Sequence, residues 1–121
     1  MDCIHQETLN SVLENIYEHL FINRTIVIYP MHEFETCIQS LTLLDIPFVM
    51  LDSTYSFHRF HQSSYRIGMV PFHLIYEYRK WIASYMIREH YLMVLHGLSS
   101  LQEQCCLDVL KKKENFYIYV N

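Results

Sequence analysis

Glycine and alanine are scarce in this chain of 121 residues: it has two Gly, and Ala83 is its single Ala. The shortage of Gly excludes a phosphate-cradling loop, which needs several residues without a Cβ in close succession. No GxSxG elbow is present, so Ser-His-Asp chemistry of the α/β-hydrolase kind lacks its nucleophile turn. No HExxH occurs, and Cys105-Cys106 are adjacent rather than spaced for zinc. His58 and His61 stand three apart, but a zinc site needs three or four ligands, so the eight histidines are expected to be solvated or satisfied in the core, with no metal bound. Bases are outnumbered, with nine Lys and Arg against 13 Asp and Glu and a formal charge of −4. The one basic run, Lys111 to Lys113, reads as a solvated helix end, and no nucleic-acid footprint is expected. No apolar stretch approaches the roughly 18 residues of a membrane span. The first ten residues, MDCIHQETLN, have neither the basic start nor the apolar centre of a signal peptide. The expectation is an intracellular, cytoplasmic protein without membrane contact, its cysteines Cys3, Cys37, Cys105 and Cys106 reduced.

What is present is bulk. Hydrophobic residues make up 51% of the chain, including ten Tyr and seven Phe, enough to exclude a disordered polymer and to build one domain over residues 1–121. Leu9, Val12, Leu13, Ile16, Tyr17 and Leu20 recur at helical spacing and predict an N-terminal helix. Thr25 to Tyr29 is β-branched and aromatic, a buried strand. Phe34, Ile38, Leu41 and Leu44 predict a helix stopped by Asp45, with Pro47 holding Ile46 out of helical conformation. Phe48 to Leu51 reads as a second strand. A His-rich segment from Tyr55 to Tyr65 has room for a short helix, and Ile67 to Ile75 reads as strand interrupted by Pro71. Glu77 to Lys80 reads as a turn. Helical spacing through Ile87, Tyr91, Val94 and Leu95 predicts a helix over 81–95, broken by Gly97. Leu98, Leu101, Cys105 and Val109 predict another, with one of the paired cysteines inward and the other outward. Phe116 to Val120 is strand-like, placed to extend the sheet edge or to pair with a second copy. The result is an α/β domain with helices on a small mixed sheet. Its strand-helix-strand units are parallel with right-handed crossovers.

The series TIVIY (25–29), helix, DIPFVMLD (45–52), variable segment, GMVPFHLI (68–75) resembles the thioredoxin fold, most closely glutaredoxins and the N-terminal domain of glutathione transferases. The likeness covers about residues 24–96, with 97–121 as a C-terminal extension. On this resemblance the redox CxxC becomes Phe34-Glu35-Thr36-Cys37, with Phe34 in the place of the attacking thiol. Met69-Val70-Pro71 matches the Val-Pro whose peptide bond is cis in those families. Ala83-Ser84 followed by Ile87 is similar to the helix start that holds the γ-glutamyl end of glutathione, with Ala83 replacing the acidic residue or Gln. Met31 stands near a lysine that meets the glutathione carboxylate in glutaredoxins. As Met31 and Ala83 carry no charge, its reading as a core filler is the simpler one.

Three functional readings follow. In the first, the resemblance implies a thioredoxin-like protein that has lost its chemistry, binds no cofactor and serves as a protein-interaction or scaffold module. Its contact surfaces would be the former active-site face, the 55–66 segment and the C-terminal extension, and self-association into a homodimer is a further expectation. In the second, Cys37 is a monothiol and Phe34, Cys37, Val70, Pro71 and Ser84 bind glutathione, which demands a thiol pKa well below the usual value of about 8.5. In the third, the chain is a degenerate nucleotide-type α/β module, for instance a fragment resembling the second lobe of a helicase.

Overall fold

In a computed structural model the chain is described over residues 24–88, 91–110 and 117–120. The helix expected over 9–20 and the lysines at 111–113 lie outside these residues. Five strands form one sheet: β1 (Arg24–Tyr29), β2 (Phe48–Met50), β3 (Ile67–Pro71), β4 (Tyr91–His96) and β5 (Tyr117–Val120). Their order is β2-β3-β1-β4-β5, and all four pairings are parallel. The expected mixed sheet is thus a parallel one.

Four α-helices connect the strands: α1 (Phe34–Leu43), α2 (Thr54–Gln62), α3 (Arg79–Arg88) and α4 (Ser100–Leu110). Strand order dictates where they lie. The step from β1 to β2 runs in one direction across the sheet, whereas the steps β2 to β3, β3 to β4 and β4 to β5 all run in the other. Right-handed crossovers therefore put α1 alone on one face and α2, α3 and α4 together on the opposite face. The core divides accordingly. Ile26, Ile28, Val70, Met93 and Leu95 meet Phe57 and Phe60 of α2, Ile82 of α3, and Cys106 and Leu110 of α4. Val27, Tyr29, Ile67, Met69 and Val94 meet Cys37 and Leu41 of α1.

Strands covered on both faces need no alternation of polar and apolar residues. Residues 25–29 of β1 and all of β3 are buried accordingly. The same fact explains the largest correction. Tyr91–His96 is strand β4, not the end of a helix. An unbroken apolar run buried on both sides satisfies a helical template as readily as a strand. The segment expected to be strand through Ile75 stops at Pro71 and turns into a 3-10 helix, Phe72–Leu74. Among the described residues no peptide bond is cis, so the cis bond expected at Pro71 is absent. Pro71 instead ends β3 with extended backbone opposite Tyr29. The missing N–H is tolerated because the ladder terminates there.

Local chemistry sets the ends of the elements. α1 closes with Ile46 N–H donating to the Leu41 carbonyl at 2.9 Å and Asp45 N–H to that of Thr42 at 3.1 Å. Asp45 takes φ 54°, the left-handed turn that usually calls for Gly. In α2, Ser53 and Ser56 form a reciprocal capping box. Gly68 lies where a Cβ would sit 2.6 Å from Leu51 Cδ1 and 3.1 Å from Phe60, so its bare backbone lets the α2 layer approach β3. On α4 one cysteine of the pair is inward and the other outward, but the stripe read through Leu101 and Cys105 is turned: Cys106 is buried, whereas Cys105 and Leu101 are exposed.

Candidate functional site at the carboxyl ends of β1 and β4

The residues proposed to hold glutathione divide between the two faces of the sheet. Cys37 and Phe34 pack on the α1 face, whereas Val70 belongs to the opposite core. Pro71 is buried at the end of β3, and Ser84 is half-buried on α3, whose Ile82 shares the core of Val70. Met31 fills no core gap. It is 56% exposed on a 3-10 turn beyond the end of β1. His58 is exposed and His61 half-buried, and among the described residues no group of three or more ligating side chains could hold a metal ion.

Open parallel sheets bind ligands outside the carboxyl ends of neighbouring strands whose following helices leave to opposite faces. Here β1, followed by α1, stands between two such neighbours, β3, followed by α3, and β4, followed by α4, and Glu33 and His96 meet on the β4 side. Tyr29 ends β1 on the α1 face. Alternation along β4, with Val94 on that face and Leu95 on the other, turns His96 toward the same side. Glu33, just before α1, brings its Oε2 to 3.5 Å from His96 Nε2. Gly97 follows with φ +68°, and a Cβ there would lie 2.7 Å from Glu33 Cγ, so the glutamate side chain crosses the end of β4 only because residue 97 is glycine.

The resulting cluster of Tyr29, Glu33, Cys37 and His96 is polar, with Glu33 half-buried at its outer edge. Tyr29, Cys37 and His96 are at most 2% exposed. Burial pushes the Cys37 thiol up to about 12, with the Glu33 charge adding to the rise. Burial, then the neighbouring Cys37 and Asp52, pushes the Tyr29 phenol up to about 12. His96 is pushed down by burial, which outweighs the opposing pull of Glu33. Among the described residues neither ring nitrogen of His96 nor the Tyr29 hydroxyl has a hydrogen-bond partner of regular geometry. A neutral thiol, a neutral phenol and a neutral imidazole offer no activated nucleophile.

Nor is there an anion cradle. The β1–α1 connection is Pro30-Met31-His32-Glu33, without glycine and with a carboxylate where a phosphate would have to sit. At the start of α4 part of the amide row is taken up: Gln102 N–H donates to Ser99 Oγ at 3.2 Å, and Ser99 N–H to Gln102 Oε1 at 2.9 Å. The sequence reading missed the Glu33–His96 pair. Its one signal was a His-Gly at the end of an apolar run, uninformative until that run is known to be a strand beside β1.

No protein-family model matches the chain, and neither the curated proteins nor the solved structures include a match. No helix among the described residues is long and apolar enough to cross a membrane.

Proposed function

We propose that this chain is a non-catalytic α/β module that works through contacts with a protein partner. One observation carries the reading: the crevice where a parallel sheet would bind its ligand holds a sealed, protonated Cys37 and a carboxylate, not an exposed thiolate or an open row of amides. Redox exchange needs the thiolate. Nucleotide binding needs amides and space for phosphate. Neither need is met by the residues at this crevice.

For the architecture we favour the nucleotide-type α/β reading over the thioredoxin-like one. Thioredoxin sheets are usually not all parallel, whereas these five strands are. The trans bond at Pro71 also removes the Val-Pro feature on which the likeness leaned. Both readings agree on the function, a fold kept after its ligand chemistry has gone.

Calorimetric titration of the reduced chain with glutathione, and separately with ATP and Mg2+, tests the proposal. The expected result is no saturable heat at millimolar ligand for the wild-type chain or for Cys37→Ser. Saturable glutathione binding lost in Cys37→Ser would overturn it in favour of the monothiol reading. Saturable ATP binding would restore a nucleotide role.

A further inference from the structure

Between Asp52 and Glu77 the chain contains no Asp or Glu, although it carries 13 acids and a net charge of −4. The same stretch holds Arg59, Arg66, His58, His61 and His73. Folding turns it into a surface. Helix α2 buries Phe57 and Phe60 and leaves Tyr55, His58, Arg59 and Gln62 exposed. The loop after it exposes Tyr65 and leaves Arg66 half-exposed. Among the described residues neither Arg59 nor Arg66 has a carboxylate partner.

This surface is fixed at both ends. The Ser53–Ser56 capping box holds the start of α2, and Asp52 N–H also donates to Ser56 Oγ at 3.0 Å. At the other end the Arg24 guanidinium donates to the Phe60 carbonyl, and to that of Ser63 at 2.8 Å, while its carbon lies 5.2 Å from the Phe60 ring centre. The loop is tied by Thr25 N–H donating to the Arg66 carbonyl at 2.8 Å and Tyr65 N–H to Ser63 Oγ at 3.2 Å. The Arg59 guanidinium carbon lies 5.8 Å from the centre of the Tyr55 ring, so cation and aromatic are presented together. A rigid surface loses little freedom on binding.

From this charge pattern we infer that the outer face of α2, with the 63–66 loop, docks an acidic segment of a protein partner. Arg59 and Arg66 take its carboxylates, and Tyr55 and Tyr65 cover its apolar side chains. The inference rests on the proposed interaction role and supplies the chemistry of the partner. Guanidinium forks match carboxylates bidentately, and tyrosine adds contact area at small entropic cost. A nucleic acid fits less well, because a polyanion draws its affinity from many phosphate contacts and the molecule as a whole is negative.

Fluorescence anisotropy on the full chain tests this, with a fluorescein-labelled peptide of alternating Glu and Phe. The same peptide with Gln for Glu and a labelled twelve-nucleotide oligothymidine serve as comparison probes. Saturable binding of the Glu peptide is expected, weakened at least about tenfold by Gln for Glu and by the double variant Arg59→Glu with Arg66→Glu. Lys80→Glu, an exposed change of the same sign on α3, is expected to stay within about twofold of wild type. Circular dichroism checks that the variants remain folded. Absence of saturable binding, binding indifferent to the double reversal, or tighter binding of the oligothymidine would overturn the inference. Those outcomes leave the non-catalytic reading standing, since that depends on glutathione and ATP.

Discussion

The crevice at the ends of β1 and β4 and the outer face of α2 use the same kinds of residue to opposite effect. Each combines tyrosine, histidine and a charge. In the crevice the side chains of Tyr29 and His96 turn inward, with polar atoms that have no hydrogen-bond partner among the described residues, and the charge beside them, Glu33, is negative. On α2 they turn outward, with Tyr55 and Arg59 stacked in solvent and no acid along the stretch. Burial removes reactivity in the first case, because a desolvated thiol or phenol keeps its proton. Rigid exposure preserves binding potential in the second. A catalytic inventory of the sequence would rank Cys37 above Arg59, and the environments reverse that order.

The largest effect is expected where the α2 face is anchored. Arg24→Ala removes the guanidinium that joins β1 to the end of α2, and it should destabilise the chain by about 2–3 kcal/mol in urea unfolding, given the strength of charge-assisted hydrogen bonds. The same variant should weaken binding of the acidic peptide, which joins the anchor to the surface it supports. A loss below about 0.5 kcal/mol would mean that α2 is held by its apolar contacts alone.

Next comes Gly97→Ala, which attacks the crevice. The added methyl meets Glu33 in a left-handed backbone conformation, so a loss of about 1–2 kcal/mol is expected. Peptide binding at α2 should be unchanged, which separates the two regions.

The third prediction concerns pH. His96 has its folded-state pKa lowered by burial, so the folded state resists protonation and the unfolded state binds the proton more readily. The contribution of His96 to stability is then complete above the unfolded value of about 6.5 and declines as pH falls through it. His96→Phe should flatten that part of the stability–pH curve relative to wild type, as followed by thermal unfolding between pH 7.5 and 5.5. Parallel curves would show that His96 does not carry the acid sensitivity.

The smallest effect serves as a reference outside both regions. Asp45→Gly relieves a left-handed residue at the end of α1 and should raise stability by less than about 1 kcal/mol, with no change in peptide binding.

Much of the fold was legible in the sequence. β1, α1, β2 and the helix in the His-rich segment follow from short, clean signals such as Thr25 to Tyr29 and the Asp45–Pro47 stop. Of the Phe116 to Val120 run, Tyr117–Val120 joins the sheet edge as β5, paired with β4. β4 was not legible, because the run from Tyr91 to Leu95 carries no polar–apolar alternation, and Met93, Val94 and Leu95 are buried on both faces of the sheet. That misreading also hid the parallel sheet, since strand order depends on knowing that β3 crosses past β1 to reach β4. The crevice was hidden for the same reason: Glu33 and His96 are distant in sequence and meet only through that crossing. Cys37 was legible as a packed residue near a helix start, but its Glu33 neighbour and the depth of its burial needed the three-dimensional arrangement.

The central claim is that the crevice is closed to chemistry, and the most direct measurement is the rate of cysteine alkylation as a function of pH, resolved by residue with mass spectrometry. The account predicts that exposed Cys105 reacts with iodoacetamide under native conditions while Cys37 stays protected throughout the neutral range and reacts only on unfolding. Cys37 reacting faster than Cys105 at neutral pH in the folded chain would show an accessible thiolate and contradict the account.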